Sequence, residues 1–163
     1  MKKAIQSPQA ASELAILMIP VQGKNLVLPN VTVAEIISRQ ATDVGDDVPT
    51  WYVGQMQWRN LSVPVISYEA INDEPFVGDE NQRHIAVVNG TDSDIPFWAV
   101  LTEGTPKLLR LTEEQVVASS EVIGGPAEAQ RVIVNDEAAI IPDLNFIEDK
   151  IATLLAELKL ATA

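Results

Sequence analysis

Side chains able to do chemistry are sparse in this chain. Its one histidine, His84, opens an apolar run. A Ser/His/Asp set could be drawn from the many serines and aspartates. No G-x-S-x-G elbow, P-loop or G-x-G-x-x-G phosphate cradle accompanies it. His84 therefore reads as a residue at the rim of a strand. Asp43, Asp46 and Asp47 lie within five residues. They lack the regular oxygen-ligand spacing of a calcium loop and read as a solvated loop. No His/Glu cluster offers a metal site, and the absence of cysteine removes thiolate ligands and disulfides. The sequence assigns no catalytic residue, no cofactor and no metal, which points away from an enzyme. The side chain that remains is Arg59.

Arg59 sits in residues 48–71, VPTWYVGQMQWRNLSVPVISYEAI. Gln55, Gln57 and Arg59 alternate with Met56 and Trp58, a period of two that puts the sets on opposite faces of a strand. Leu61 to Ile66 form a second apolar run. The pair reads as two strands around a tight turn. Asn60 is the turn residue, because asparagine tolerates positive φ better than most. Pattern alone leaves Arg59 either a wet surface arginine or a group reaching a partner.

The elements around that hairpin are short. At 163 residues the chain can bury one core, or two small subdomains sharing one. Its net charge of -12 repels nucleic acid and anionic lipid, so neither is an expected partner. The lead MKKAIQSPQAASE lacks an apolar segment behind its lysines, so no signal peptide is read there. No apolar run is long enough to span a bilayer, and a cytoplasmic protein is expected. The N-x-S/T sequons at Asn30, Asn60 and Asn89 then count as chance matches.

In order, residues 1–13 form a flexible lead. Leu14 to Ile19 and Leu26 to Leu28 are strands around a turn at Gln22 to Asn25. Thr32 and Glu35 have capping-box spacing and predict a short helix carrying Val33, Ile36 and Ile37. Residues 38–49 and 72–83 are acidic linkers. Ile85 to Val88 and Phe97 to Leu101 are strands around a turn at Gly90 to Asp94. Leu108 to Leu111 follow, and Thr112 and Gln115 predict one helical turn. Gly124-Gly125-Pro126 marks a loop before a hairpin of Val132 to Val134 and Ala139 to Ile141, turning at Asn135-Asp136-Glu137. Phe146, Ile147, Ile151, Leu154, Leu155 and Leu158 recur at helical spacing, with Glu148, Asp149, Lys150, Glu157 and Lys159 on the polar positions. This is an amphipathic helix of about four turns. Many short strands and one terminal helix point to small β-barrels or a sandwich.

The order of these features resembles the CheW-like domain, an adaptor module of bacterial chemosensory arrays. Val33-Ala34-Glu35-Ile36 matches the family's V-x-E-I helix. Pro49, Tyr52 and Gly54 match the approach to its G-x-x-N-x-R-G turn, with Arg59 and Asn60 at the arginine and glycine positions. Val63-Pro64-Val65 matches V-P-V. Leu111 to Val116 resembles L-x-x-E-Q-I. The likeness covers about residues 14–156. Asn60 departs from glycine, and Ser67-Tyr68-Glu69 stands where D-L-R is common. With Trp58 in place of an aliphatic residue, these departures resemble the ChpC type of the pilus (twitching) chemosensory system.

The resemblance implies a mainly β fold, two intertwined five-stranded SH3-like barrels plus a C-terminal amphipathic helix. Its expected division is 14–64 with 132–163, and 65–131, with 49–65 crossing between barrels. It implies a non-catalytic adaptor that couples the cytoplasmic tip of a methyl-accepting chemoreceptor to the regulatory domain of a CheA-type histidine kinase. Motif position carries over Val33, Glu35, Gly54, Arg59 and Val63 as protein-interaction candidates. Each has a plainer role: Val33 and Val63 as core, Glu35 as a helix cap, Gly54 as a strand kink. A β-barrel peptide-binding module of unrelated role is the alternative.

Overall fold

The computed structural model describes residues 13–75, 81–92 and 94–162. Residues 1–12 of the expected lead and 76–80 of the second linker lie outside the described residues, while Glu13 already belongs to a strand. Strands β1 (Glu13–Val21) and β2 (Lys24–Pro29) form the first hairpin, and Gly23 turns it at φ 74°. A 3₁₀ turn, Asn30–Thr32, leads into β3 (Val33–Ser38). Next come the hairpin β4 (Tyr52–Trp58) and β5 (Leu61–Ile66), and a one-turn helix, α1 (Tyr68–Ile71). A third hairpin pairs β6 (His84–Asp92) with β7 (Ile95–Thr102). β8 (Lys107–Thr112), a 3₁₀ turn at Glu113–Gln115 and β9 (Val116–Ala118) precede the hairpin β10 (Glu128–Val134) and β11 (Glu137–Pro142). The terminal helix α2 spans Leu144–Thr162.

Among the described residues the strands form two sheets, ordered β8-β1-β2-β11-β10-β9 and β3-β6-β7-β5-β4. Both follow one plan. A single strand (β8 or β3) flanks a hairpin (β1–β2 or β6–β7). A parallel contact then joins a second hairpin, β11 to β2 in one sheet and β5 to β7 in the other. This mainly β arrangement fits the expected pair of SH3-like barrels.

Alternation within the strands explains the packing. Ile16 and Met18 of β1 fill a core inside the first sheet with Val27, Leu111 and Val132. Ile85, Val87, Ala99 and Leu101 fill another inside the second sheet with Met56, Trp58, Val63 and Val65. The intervening residues of the same strands, Leu17, Ile19, Ala86, Val88, Trp98 and Val100, meet in a core shared by both sheets. Strands buried on both faces read as unbroken apolar runs. Ile147 and Ile151 of α2 close the shared core.

Several expectations are corrected. Residues 33–38 are a strand, not a helix, because Ile36 and Ile37 pair with Ala86 and Ile85 across β3–β6. Thr32 makes no cap; the short helical turn ends where the strand begins. β6 runs through Gly90 to Asp92, so these residues of the expected turn are strand, and Ser93 lies outside the described residues. The second sheet is one contiguous segment, 33–102, and the first takes 13–29 and 107–142. The crossings therefore fall at 30–32 and 103–106. Residues 49–65 lie inside the contiguous 33–102 segment, where they carry β4 and most of β5, and the boundaries 14–64 with 132–163 and 65–131 cut through the second sheet. The capping box at Thr112 is present, with the Thr112 amide donating to Gln115 Oε1 at 2.8 Å.

Candidate protein-interaction site

Arg59 and Asn60 form the turn of β4–β5, at φ 49° and 64°. Two successive positive φ values give the primed turn whose twist matches a two-residue hairpin. Asn60 thus has the positive φ expected of it, and Arg59 shares it. The arginine is held by its neighbours. Its Cζ lies 4.6 Å from the centroid of the Trp58 ring, and Nη2 lies 3.2 Å from Glu35 Oε1. Trp58 Nε1 donates to the same Glu35 oxygen at 2.8 Å. Trp58 is itself buried, edge-on to Phe97 with centroids 4.9 Å apart. The side chain of Arg59 remains 64% exposed and that of Glu35 40%. An exposed pair of this kind contributes about 0–1 kcal/mol to folding. Its better use is recognition, because the guanidinium keeps donors free for carboxylates or carbonyls while its orientation is fixed by a rigid ring.

Two further surface features go beyond the sequence expectations. An open groove of about 800 Å³ runs between β5, the start of β7 and the outer half of α2, lined by Leu61, Pro64, Phe97, Ala152 and Leu155. The β9–β10 connection carries Val122 and Ile123 at 82% and 53% exposure. An apolar pair inside a polar, Gly-rich loop was the available signal for the second; the first is made by distant segments and leaves none. His84 begins β6, and its buried Nδ1 has no hydrogen-bond partner among the described residues. Among those residues no group of three or more His, Cys, Asp or Glu is arranged to hold a metal.

Comparison with known proteins gives the family. Residues 15–150 match the model of the CheW-like domain. The chain belongs to the CheW-like domain family. A solved structure, the scaffolding protein TtCheW from Thermoanaerobacter tengcongensis, is similar at a TM-score of 0.67 and 14% identity, covering 79% of this chain and 88% of that one. At that identity the likeness is one of fold. No curated protein sequence matches the chain.

In this CheW-like chain the five residues carried over by motif position separate. Glu35 and Arg59 meet at the surface, on β3 and at the β4–β5 turn. Val33 is half-buried against the shared core. Val63, 1% exposed, points into the core of the second sheet, so it supports the hairpin from within. Gly54 is also internal. Its φ is 130°, and an added Cβ would stand 2.6 Å from the Asp43 carbonyl oxygen. Asp43 exchanges two 2.8 Å backbone hydrogen bonds with Gln55 there. The glycine lets residues 39–43 close onto β4, and Asp43 serves that closure. No helix among the described residues is long and apolar enough to cross a membrane.

Proposed function

We propose that this chain is a non-catalytic cytoplasmic adaptor that couples methyl-accepting chemoreceptors to a CheA-type histidine kinase. The observation that carries the reading is Arg59: a wet guanidinium, locked over Trp58 and against Glu35, at the turn where the family has its arginine. The adaptor works by holding two partners at once, so that receptor conformation biases kinase activity through contacts rather than chemistry. One partner surface is the cytoplasmic tip of the receptor, the other the regulatory domain of the kinase.

The departures favour the ChpC type of the pilus system. Trp58 supplies the ring beneath Arg59. Glu69, where D-L-R is common, is fully buried and accepts from Ser67 Oγ, the Gln22 amide and Gln82 Nε2 at 3.1, 2.6 and 3.0 Å. Genes for a pilus-system kinase, response regulator and methyltransferase beside this one are the expected context; flagellar neighbours would reassign the subtype.

The direct test is Arg59→Glu. The side chain is exposed, so circular dichroism and Tm should stay near wild type. Retention of the receptor tip or the kinase regulatory domain in pull-down should fall about tenfold or more, as for a truncated interfacial charge. Undiminished retention of both partners sinks the assignment. The groove beside Leu61 and Leu155 favours one alternative, a peptide-binding module of another system. That reading gains if the wild-type protein captures neither partner.

A further inference from the structure

The one-turn helix α1 and the residues after it continue the second sheet in sequence but are bonded to the first. β5 runs straight into α1, and the Ser67 amide donates to the Trp51 carbonyl at 2.8 Å, so the second sheet fixes where the helix starts. Tyr68 and Ile71 sink into the core shared by both sheets. Buried Asn72 accepts at Oδ1 from the Ala127 amide at 2.9 Å and donates from Nδ2 to Glu128 Oε2 at 2.8 Å. The Tyr68 hydroxyl donates to the Ala127 carbonyl at 3.0 Å. Arg131 steadies the Glu128 carboxylate, its Nε donating to Oε1 at 2.8 Å. A second set of contacts reaches another part of the first sheet. The Gln22 amide donates to Glu69 Oε2 at 2.6 Å, Gln22 Nε2 donates to the Pro75 carbonyl at 3.3 Å, and Lys24 pairs with Glu74.

These are two attachment points on one sheet. Gln22 and Lys24 lie at the β1–β2 turn, Ala127 and Glu128 at the entry of β10, and β11 stands between β2 and β10. Two strand spacings are about 10 Å. Apolar burial is non-directional, so the shared core resists separation of the sheets more than rotation of one on the other. Hydrogen bonds are directional, yet one point of them would still serve as a pivot. Two points that far apart fix an angle. At its other end β5 begins beside Asn60, so the angle set at α1 is carried along a buried strand to the Arg59 turn. A six-residue strand spans about 20 Å, and a slack of about 5° at α1 would displace the turn by about 2 Å.

We propose that Tyr68, Asn72 and Glu128 are positioning residues: together with the Gln22–Glu69 contact they latch the two sheets at one angle, and so fix the Arg59 turn relative to the first sheet. The inference rests on the adaptor reading and adds how a signal crosses the chain. A partner seated on the turn moves the rest of the molecule only if the joint between the sheets does not yield.

Residual dipolar couplings of the full chain test the latch, and kinase assays test its use. Wild type should give one alignment tensor for both sheets. In Asn72→Ala the tensor of the second sheet should turn or shrink relative to that of the first, with the strand amides of each sheet still protected from exchange. Retention of the receptor tip alone, or of the kinase regulatory domain alone, should stay within about twofold of wild type, while receptor control of kinase autophosphorylation falls about threefold or more. Tyr68→Phe, which keeps the ring in the core and removes only the bond to Ala127, should act in the same direction if Asn72→Ala does not fold. A single shared tensor in a folded variant overturns the latch. Receptor control that survives a loosened angle overturns its use, as does a loss of control no larger than the loss of binding. If wild type captures neither partner, the adaptor reading and the coupling role fail together, and the dipolar couplings still decide whether the latch holds the angle.

Discussion

Two arginine–glutamate pairs in this molecule have opposite economies. Arg59–Glu35 is wet and weakly stabilising, and its value lies in what it presents. Arg131–Glu128 is a forked pair whose carboxylate is almost fully enclosed. Burial by itself would raise the Glu128 pKa. The Arg131 hydrogen bonds, the Gly124 amide, Asn72 and the Arg131 charge together outweigh it and hold the value down at about 2. Burial, with the charge of Glu128 behind it, pushes the Tyr68 phenol well above its usual range, so the hydroxyl stays a donor to Ala127. A carboxylate with a depressed folded pKa contributes stability above its unfolded pKa and loses it as pH falls through the folded value. Glu128→Gln should therefore be less stable than wild type at pH 7. The gap should narrow between about pH 4.5, the ordinary value, and about 2. Urea midpoints measured from pH 7 to 2 check this; a gap that does not change with pH contradicts it.

At the scale of elements, legibility followed periodicity. The β4–β5 hairpin and α2 were both readable, because alternation and three- and four-residue steps are strong signals. Residues 33–37 are strand where capping-box spacing predicts a helix, since that spacing is local and β6 offers Val33 to Ile37 a ladder the sequence does not display. The turn α1 was missed. Residues 67–71 carry no periodic signal between the apolar run ending at Ile66 and the acidic linker, and the cap of α1, the Ser67 hydroxyl accepting from the Ala70 amide at 3.3 Å, rests on one residue. Glu148 looked like part of the wet face of α2 but is 3% exposed. Its carboxylate accepts from the Thr91 amide and hydroxyl at 3.1 and 2.7 Å and from Trp98 Nε1 at 3.0 Å. It pins the first turns of α2 to β6 and β7. Glu148→Ala leaves the buried Trp98 Nε1–H without an acceptor, so the expected loss is about 1–3 kcal/mol. Urea denaturation followed at 222 nm measures it, with faster amide exchange along α2 as the accompanying sign. A midpoint equal to wild type would mean that the apolar face alone holds the helix.

At the scale of the whole molecule, the candidate site was half legible for a physical reason. Arg59 and Asn60 are adjacent in sequence, so their turn could be read. Glu35 reaches them only because β3 borders the second sheet opposite β4, a relation between segments 23 and 24 residues away. The division into sheets was misplaced for the same reason, since no local signal marks 30–32 and 103–106 as crossings. The observed division poses a sharp question. Residues 33–102 contain every strand of the second sheet and its internal core, so topology alone would let that segment fold by itself. Packing says otherwise. Ile66, Tyr68, Ile71, Ala86, Val88, Ile95, Trp98 and Val100 are each at most 3% exposed in the shared core, where the first sheet and α2 complete it. Burying a large apolar side chain is worth about 1.5–3 kcal/mol. Uncovering this set costs as much as the about 5–15 kcal/mol that stabilises a whole domain. The excised 33–102 segment should accordingly lack slowly exchanging amides and a cooperative urea transition, and should bind apolar dyes. The full chain should unfold in one step, with both sheets losing amide protection together. A 33–102 segment that unfolds cooperatively by itself would show that closure of the second sheet outweighs the shared core.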